Sequence, residues 1–411
     1  MKVFSDIIVV GGGASGMMAA IAAAQSNKKV LILEHNDRLG KKILQTGNGR
    51  CNLTNKNMSK DCYCKENADF AMKVIKDFDE TKVCDFFVEA GLLLHDRGGY
   101  VYPNSDQASS VNEVLFLELK RKNVSVKTGV IVENISKKGP NGFDIQTNQG
   151  GFSCNKLILA TGSKAYPKSG SDGSGYELAK KLGHTIIEPL PALTSLKSDF
   201  TLRKSISGVR CDGMVRLLVE EKEIIRERGE IQMTDYGISG IPVFQISRYG
   251  VQAVSRKKKT SCVLDLLPDY EEEQIIAFLR KKASVKGITM EDAICGMINR
   301  KLSAMILKYS GYEACDMAFK WKDSDFKKIA VNIKNLPMSI IGYNSFDYGQ
   351  VCQGGVCVDE INVSTMESKR VKGLYFAGEL VDVDGICGGY NLQWAWSSGY
   401  KAGKACSNDS N

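Results

Sequence analysis

Apolar residues first gather in a short β-branched run, Ser5–Val10, which breaks into Gly11-Gly12-Gly13-Ala14-Ser15-Gly16. An alanine-rich stretch with high helix propensity, Met17–Gln25, comes next. A second apolar run, Lys29–Leu33, ends at Glu34. Strand, glycine turn, helix and strand within about 30 residues define a βαβ unit. Its right-handed crossover makes the sheet parallel.

The spacing of Phe70, Val74, Ile75, Phe78 and Phe86 predicts helix between Asn67 and Ala90. Val111–Lys122 reads as a further helix and Val124–Val132 as a strand near its end. Lys156–Ala160 is an apolar strand running into Thr161-Gly162, and Gly173–Leu182 is a helix closed by Gly183. The pattern changes after Pro189-Leu190-Pro191. Short alternating runs such as Met214–Val219 and Ser261–Leu266 predict strands across 193–265. From Pro268 it changes again: Ile294, Met297, Ile298, Leu302, Met305 and Ile306 repeat at helical spacing. Thr289 and Asp292 form a capping pair ahead of them. Pro337–Gly342 returns to strand, and from Gly354 the glycine-rich style of the N-terminus resumes.

These shifts predict an α/β protein in three parts. A Rossmann-type dinucleotide domain takes 1–189 and 354–411, and a barrel-like β domain of 190–267 and 335–353 is inserted into it. A small helical domain, 268–334, is inserted into that in turn. A chain of 411 residues supports two or three cores. No apolar run approaches the roughly 20 residues of a membrane span. Met1–Asp6 is too short and polar for a signal peptide, so a soluble cytoplasmic protein is expected.

Composition narrows the chemistry further. Of the net charge of +8, the densest piece is Arg256-Lys257-Lys258-Lys259, which reads as a solvated loop. It lacks the interleaved aromatic residues of single-strand binders, leaving nucleic acid a minor reading. Thirteen cysteines are scattered without a C-x-x-C pair, and the histidines number three: His35, His95 and His184. Neither a disulfide framework nor a metal site is indicated, and so many thiols suit a reducing compartment.

Gly11, Gly13 and Gly16 make G-x-G-x-x-G between strand and helix. The glycines allow the tight turn, the approach of a pyrophosphate and close packing of helix on strand. The N–H groups around Ala14 and Ser15, at the positive end of the helix, suit phosphate oxygens. Glu34, 18 residues past Gly16, stands where a carboxylate accepts ribose hydroxyls and would repel a 2′-phosphate. This element alone does not separate FAD from NAD. A second glycine–carboxylate strand end, Val371–Glu379, favours FAD: it resembles the strand under the flavin end of two-dinucleotide-domain flavoproteins. Gly378 and Glu379 fall there, with Asp382 and Asp384 as competing acids. Val130, Thr161 and Gly162 are further cofactor candidates. Gly389, Asn391 and Leu392 open a helix whose N–H groups suit the pyrimidine edge of a flavin. Trp394 and Trp396 in that helix read as core.

Lys41-Lys42-Ile43-Leu44-Gln45-Thr46-Gly47-Asn48-Gly49-Arg50-Cys51-Asn52-Leu53-Thr54-Asn55 resembles the signature of a bacterial flavoprotein family. Its members include aminoacetone oxidase-like and bile-acid Δ4-reductase-like enzymes. Asp382–Gly385, Gly388–Asn391, Gln393–Gly399, Gly99–Pro103 and Thr161–Gly175 are similar to further family segments. The resemblance covers nearly the whole chain. It implies a three-part fold and tightly bound FAD, with Lys41, Lys42, Gly49, Arg50, Cys51 and Asn52 near the cofactor. Two stretches depart from the family pattern. Asp235 stands where a histidine is usual, with Pro242 one place late, and Cys352-Gln353-Gly354-Gly355-Val356 replaces Thr-Ala-Gly-Gly-Val.

One G-x-G-x-x-G element with its acid is present, and 190–340 carries no second. NAD(P)H is therefore expected as a transient visitor, with ping-pong kinetics. The first expectation is reduction of an activated C=C bond, such as an enone, by hydride passed from NAD(P)H through FAD. Proton-donor candidates by residue type are Tyr100, Tyr102, Tyr236 and Tyr390, and Cys51 would be reactive at a helix N-terminus. The alternatives are O2-dependent oxidation of a small amine, and a flavin-binding redox sensor or RNA-associated protein. The small-molecule substrate and the oligomeric state stay open.

Overall fold

A computed structural model describes residues 2–24, 28–139 and 142–408. Met1 and Gln25, at the ends of two expected segments, lie outside the described residues. The chain forms two compact units, Met1–Leu190 with Gln350–Asn411, and Pro191–Gly349.

The first unit is built on a seven-stranded sheet. Across it run Ser125–Lys127, Val30–Leu33, Val3–Val10, Gly150–Leu159, Phe143–Thr147 and Val132–Lys137. Val30–Leu33 is buried throughout, as expected of a parallel strand covered on both faces. Gly150–Leu159 changes neighbour along its length. Its first half pairs antiparallel with Phe143–Thr147 and its last three residues pair parallel with Leu374–Phe376. Register aligns four strand ends: Val10 lies beside Leu33 and Leu159, and Leu159 beside Phe376. Gly11, Glu34, Ala160 and Ala377 thus leave the sheet in one row.

The helix Ala14–Ala23 is buried from Ser15 through Ala23. It packs on the C-terminal helix Tyr390–Ser407 with almost no side chain between the two backbones. A Cβ on Gly399 would stand 2.3 Å from the Ser15 carbonyl oxygen, and one on Gly403 2.1 Å from that of Ala19. Both tryptophans of this C-terminal helix are fully buried, and each indole N–H reaches a backbone oxygen. Trp394 donates to Gly378 at 3.0 Å and Trp396 to Leu53 at 3.0 Å. The helical stretch expected over 67–90 is two helices, Ala68–Ile75 and Glu80–Glu89. Asp79 caps the second by accepting the Lys82 N–H, and Phe78 in the break stacks on Tyr400 with centroids 4.2 Å apart.

The second unit is a closed antiparallel barrel of six strands. In order around it these are Leu196–Ser198, Gly237–Ser239, Lys222–Met233, Arg210–Val219, Thr260–Asp265 and Leu336–Tyr343. A helix, Ile241–Ser255, buries Val243, Ile246 and Val251 and packs on the barrel strands. The strand-like reading of 193–265 missed it, because its β-branched residues imitate a strand. Glu272–Ala283, Met290–Ile294, Arg300–Tyr309 and Asp323–Lys334 are inserted between the last two barrel strands. The Thr289–Asp292 capping box is present, while Asn299 starts a new helix and splits the expected run from Ile294 to Ile306. The fold is a Rossmann-type α/β domain with an inserted barrel and helices. Among the described residues no helix is long and apolar enough to cross a membrane.

The helix–helix approach gives the first prediction. Gly403→Ala gains up to about 1 kcal/mol of helix propensity, yet overpacking at such a contact costs about 1–3 kcal/mol. Thermal melting should show a lower Tm for Gly399→Ala and for Gly403→Ala. An unchanged or higher Tm would mean that the two helices separate freely.

Candidate active site

The glycine turn is shaped by collisions it avoids. Gly11 has φ +101°, and a Cβ there would sit 2.4 Å from the Ala160 carbonyl oxygen. A Cβ on Gly16 would be 1.9 Å from the Gly11 oxygen, which is what allows the helix to start so close to the strand. Gly13 differs, because a Cβ there would meet nothing within 4 Å. Gly13 is also the N-cap of Ala14–Ala23, with no side chain capping that helix. Half-buried Ala14 packs on the core, while Ser15 turns its Oγ toward Gly378.

Glu34 is braced by the protein itself. Its Oε2 accepts the Gly12 N–H at 2.6 Å, and its Oε1 accepts the Asn36 backbone N–H at 2.8 Å and Nδ2 at 2.7 Å. Lys41 pairs with Asp37 at 3.0 Å and donates to Asn36 Oδ1 at 3.2 Å. That ammonium holds the Asp37 carboxyl below its ordinary value. Val130 donates its N–H to the Glu34 carbonyl at 2.9 Å and buries its side chain. At the next strand end, Gly162 has φ +77° and Thr161 Oγ1 is buried without a hydrogen-bond partner.

The C-terminal half mirrors this construction. Gly378, at φ +72°, donates to Ser398 Oγ at 2.9 Å. Glu379 Oε2 receives Lys42 Nζ at 2.5 Å and Ser163 Oγ at 2.8 Å, joining three distant stretches of chain. Asp382 is committed elsewhere, accepting Gly354 N–H through Oδ1 and Asn67 Nδ2 through Oδ2, both at 2.9 Å. Gly389 has φ +93°, and a Cβ there would fall 2.7 Å from the Thr54 carbonyl and 2.9 Å from Asn52 Oδ1. Asn52 Oδ1 is itself buried with no hydrogen-bond partner. Asn391 closes its own loop, donating to the Gly385 oxygen at 2.9 Å and accepting its N–H at 2.8 Å. Leu392 packs on the core.

Between these halves lies a left-handed turn. Gly47, Asn48, Gly49 and Cys51 all have positive φ, at +56°, +55°, +86° and +60°. Arg50 on this turn is exposed. Cys51 follows a 3-10 turn instead of opening a helix, and it is fully buried. Burial pushes its thiol from 9.0 up to about 12, so it holds almost no thiolate near neutrality. Tyr390 is also buried; its hydroxyl donates to the Asn57 oxygen at 3.2 Å, and burial pushes its pKa up, making the phenol a weaker acid. Tyr236 belongs to the second unit, with its hydroxyl 3.5 Å from Ser195 Oγ. Every other site residue named from the sequence lies in the first unit. Sequence reasoning placed Ser163 and Ser398 inside segments similar to the family but gave them no role of their own. Gly399 was read only as the end of such a segment and Gly403 not at all, although their spacing of four was legible.

The residues fit a dinucleotide cofactor. An uncapped helix N-terminus faces open space at Gly13, and Asn52 and Thr161 keep buried acceptor atoms without protein partners. Fold and site together define a flavin-dependent oxidoreductase. The model of the HI0933-like protein Rossmann domain matches residues 5–405, and the chain belongs to that family. It is 44% identical over 378 residues to a 3-dehydro-bile acid delta(4,6)-reductase of Clostridium scindens, covering 92% of each chain. It is 28% identical to a ribosomal RNA dihydrouridine synthase of Escherichia coli, over 93% of this chain and 92% of that one. Among solved structures it is similar in fold to 3-ketosteroid delta1-dehydrogenase from Sterolibacterium denitrificans. The TM-score is 0.50 at 12% identity, covering 99% of this chain and 100% of that one.

Two predictions follow from this geometry. At Gly13 the backbone, φ −80° and ψ −167°, accepts any residue. Gly13→Ala should leave the melting of flavin-free protein within about 0.5 kcal/mol of wild type while markedly lowering the FAD retained on purification. Full retention of FAD by this variant would place the pyrophosphate elsewhere. The second concerns alkali. Cys51 and Cys154 are both raised by burial from 9.0 to about 12, so their contribution to stability is complete below pH 9. It is lost as pH rises through that window, because the unfolded chain then releases protons that the folded chain keeps. Tm should fall from pH 9 upward, and less steeply in Cys51→Ala; parallel slopes would contradict the assignment.

Proposed function

We propose that this enzyme reduces a carbon–carbon double bond conjugated to a carbonyl, in a steroid-like substrate, with NAD(P)H as electron donor. The observation that carries this reading is the 44% identity, over 92% of the chain, to a protein named as a bile-acid delta(4,6)-reductase. Bound FAD supplies the hydride chemistry that links donor and acceptor. The chain supplies binding, orientation and electrostatics, through residues 1–189 and 354–411. Gly11, Gly13 and Gly16, with the N–H groups of Ala14 and Ser15, would cradle the pyrophosphate. Glu34, already fixed by Gly12 and Asn36, keeps lone pairs for the ribose hydroxyls. Val130, Thr161 and Gly162 would border the nucleotide.

At the other end the Lys42–Glu379–Ser163 cluster and Gly378 would meet the ribityl chain, with Asn52 and Arg50 close by. Lys41, Gly49 and Cys51 would shape the same pocket. The N–H groups of Gly389, Asn391 and Leu392 open a helix that no side chain caps. They would stabilise negative charge developing on the pyrimidine edge of the ring. The inserted unit is a barrel with helices and not a second parallel sheet, so the nicotinamide would visit and leave before the substrate binds.

A second reading has its own support. The relative named as a ribosomal RNA dihydrouridine synthase matches 93% of this chain, and saturation of a uracil ring is also C=C reduction. Identity favours the steroid-like substrate.

Anaerobic titration with NADH and NADPH, followed by a 4-en-3-one steroid, tests the proposal. Flavin absorbance should bleach with one nucleotide and return with the steroid, yielding a product heavier by two hydrogens. A reduced enzyme reoxidised by uridine in RNA and by no steroid enone would transfer the function to the second reading. Reoxidation by O2 alone, after reduction by a small amine, would restore the oxidase alternative.

A further inference from the structure

A hairpin of the first unit leans over the glycine turn that opens the C-terminal helix. Its strands are Leu94–Arg97 and Tyr100–Pro103, and the latter also pairs with Thr54–Asn55. Asn55 sits opposite Tyr100 and donates Nδ2 to the Gly388 carbonyl at 3.0 Å. Tyr100 lays its ring on the same residue: a Cβ on Gly388 would be 2.8 Å from Tyr100 Cε1. Tyr390 lies on that glycine too, at 3.2 Å from the same point. The turn, at φ +126°, thus carries two phenol rings against it.

The phenols nearby are not equivalent. Tyr390 is 6% exposed and bonded to Asn57. Tyr63 is 5% exposed and spends its hydroxyl on the Tyr390 carbonyl at 2.8 Å. Tyr102, two residues along the same strand, lies under the Arg97 guanidinium at 5.6 Å and against the edge of His95. Tyr100 is 42% exposed and makes no side-chain hydrogen bond among the described residues. Its ring is fixed by the backbone beneath it, while its hydroxyl is left for something outside the fold. A general acid needs that combination: a rigid ring, a hydroxyl unspent on the protein, and solvent to restore its proton.

We infer that Tyr100 is the proton donor to the substrate carbon. This rests on the C=C reduction proposed above. In that reaction a hydride equivalent, drawn from the nicotinamide, reaches the carbon β to the carbonyl. The electron pair of the double bond closes onto the α carbon as the Tyr100 O–H bond breaks and a C–H bond forms. The phenolate then takes a proton from water at its exposed face. The nicotinamide loses two electrons, and the substrate gains two electrons and two hydrogens in all. The exposed part of the Tyr100 ring, seated on the Gly388 turn, would let a flat ring system lie against this phenol.

Two measurements on the FAD-loaded enzyme test the assignment. The first needs no turnover: tetranitromethane should nitrate Tyr100, and a saturating 4-en-3-one steroid should slow it, as read by peptide mass. The second compares wild type with Tyr100→Phe, which keeps the ring and so the packing. Flavin bleaching by the nicotinamide should proceed at the same rate in both. Reoxidation by the enone should slow by about 10²–10⁴-fold in the variant, with loss of the solvent deuterium effect seen in wild type. Equal reoxidation rates, or nitration indifferent to the steroid, would overturn Tyr100 and leave the proposed function standing. A wild-type enzyme that no enone reoxidises would remove that function, and the assignment with it.

Discussion

Two helix backbones in direct contact hold this protein's site together. Ala14–Ala23 and Tyr390–Ser407 come from opposite ends of the sequence, and they meet because Gly399 and Gly403 present no side chain to Ser15 and Ala19. Close-packed interiors respond to even one added methyl group. This contact therefore sets how near Gly378 comes to Ser15, and how the Trp394 indole reaches the Gly378 carbonyl. These helices fix the separation between the glycine–carboxylate segment at 378–379 and the glycine turn at 11–16.

The polar groups sit on that apolar frame in a consistent way. Acids at the strand ends are held by the protein before any ligand arrives: Glu34 by Gly12 and Asn36, and Glu379 by Lys42 and Ser163. Partly buried carboxylates need such partners, since taking an unpaired charge out of water is expensive. Pre-orientation also means that a ligand does not have to order them. The price is that fewer lone pairs remain for the cofactor, which is why the uncommitted Asn52 and Thr161 oxygens stand out.

Much of this was legible in the sequence because steric necessity leaves a residue signature. A strand entering a helix through so tight a turn requires glycine at 11 and 16, and the capping box at Thr289 announces a helix start. The unread parts have physical reasons too. Ile241–Ser255 uses β-branched residues on a buried face, so its local preference contradicts its fold. The break at Asp79 is imposed by a cap and by Phe78 finding Tyr400, a partner 322 positions away in sequence. The burial of Cys51 and the loop-closing bonds of Asn391 depend on neighbours remote in the chain, which no local pattern encodes.

The strand Gly150–Leu159 changes partner halfway, and this bears on the life of the chain during synthesis. Its last residues wait for Leu374–Phe376, which a ribosome delivers only after the entire Pro191–Gly349 unit. Until then Leu157–Leu159 form an open sheet edge, able to pair with any nascent neighbour. The barrel unit, whose six strands all fall within one continuous stretch, has its full complement earlier. The nucleotide sheet closes last, once Leu374–Phe376 has been made. Over that interval the open edge is the kind of unpaired strand that makes partly folded chains prone to aggregate.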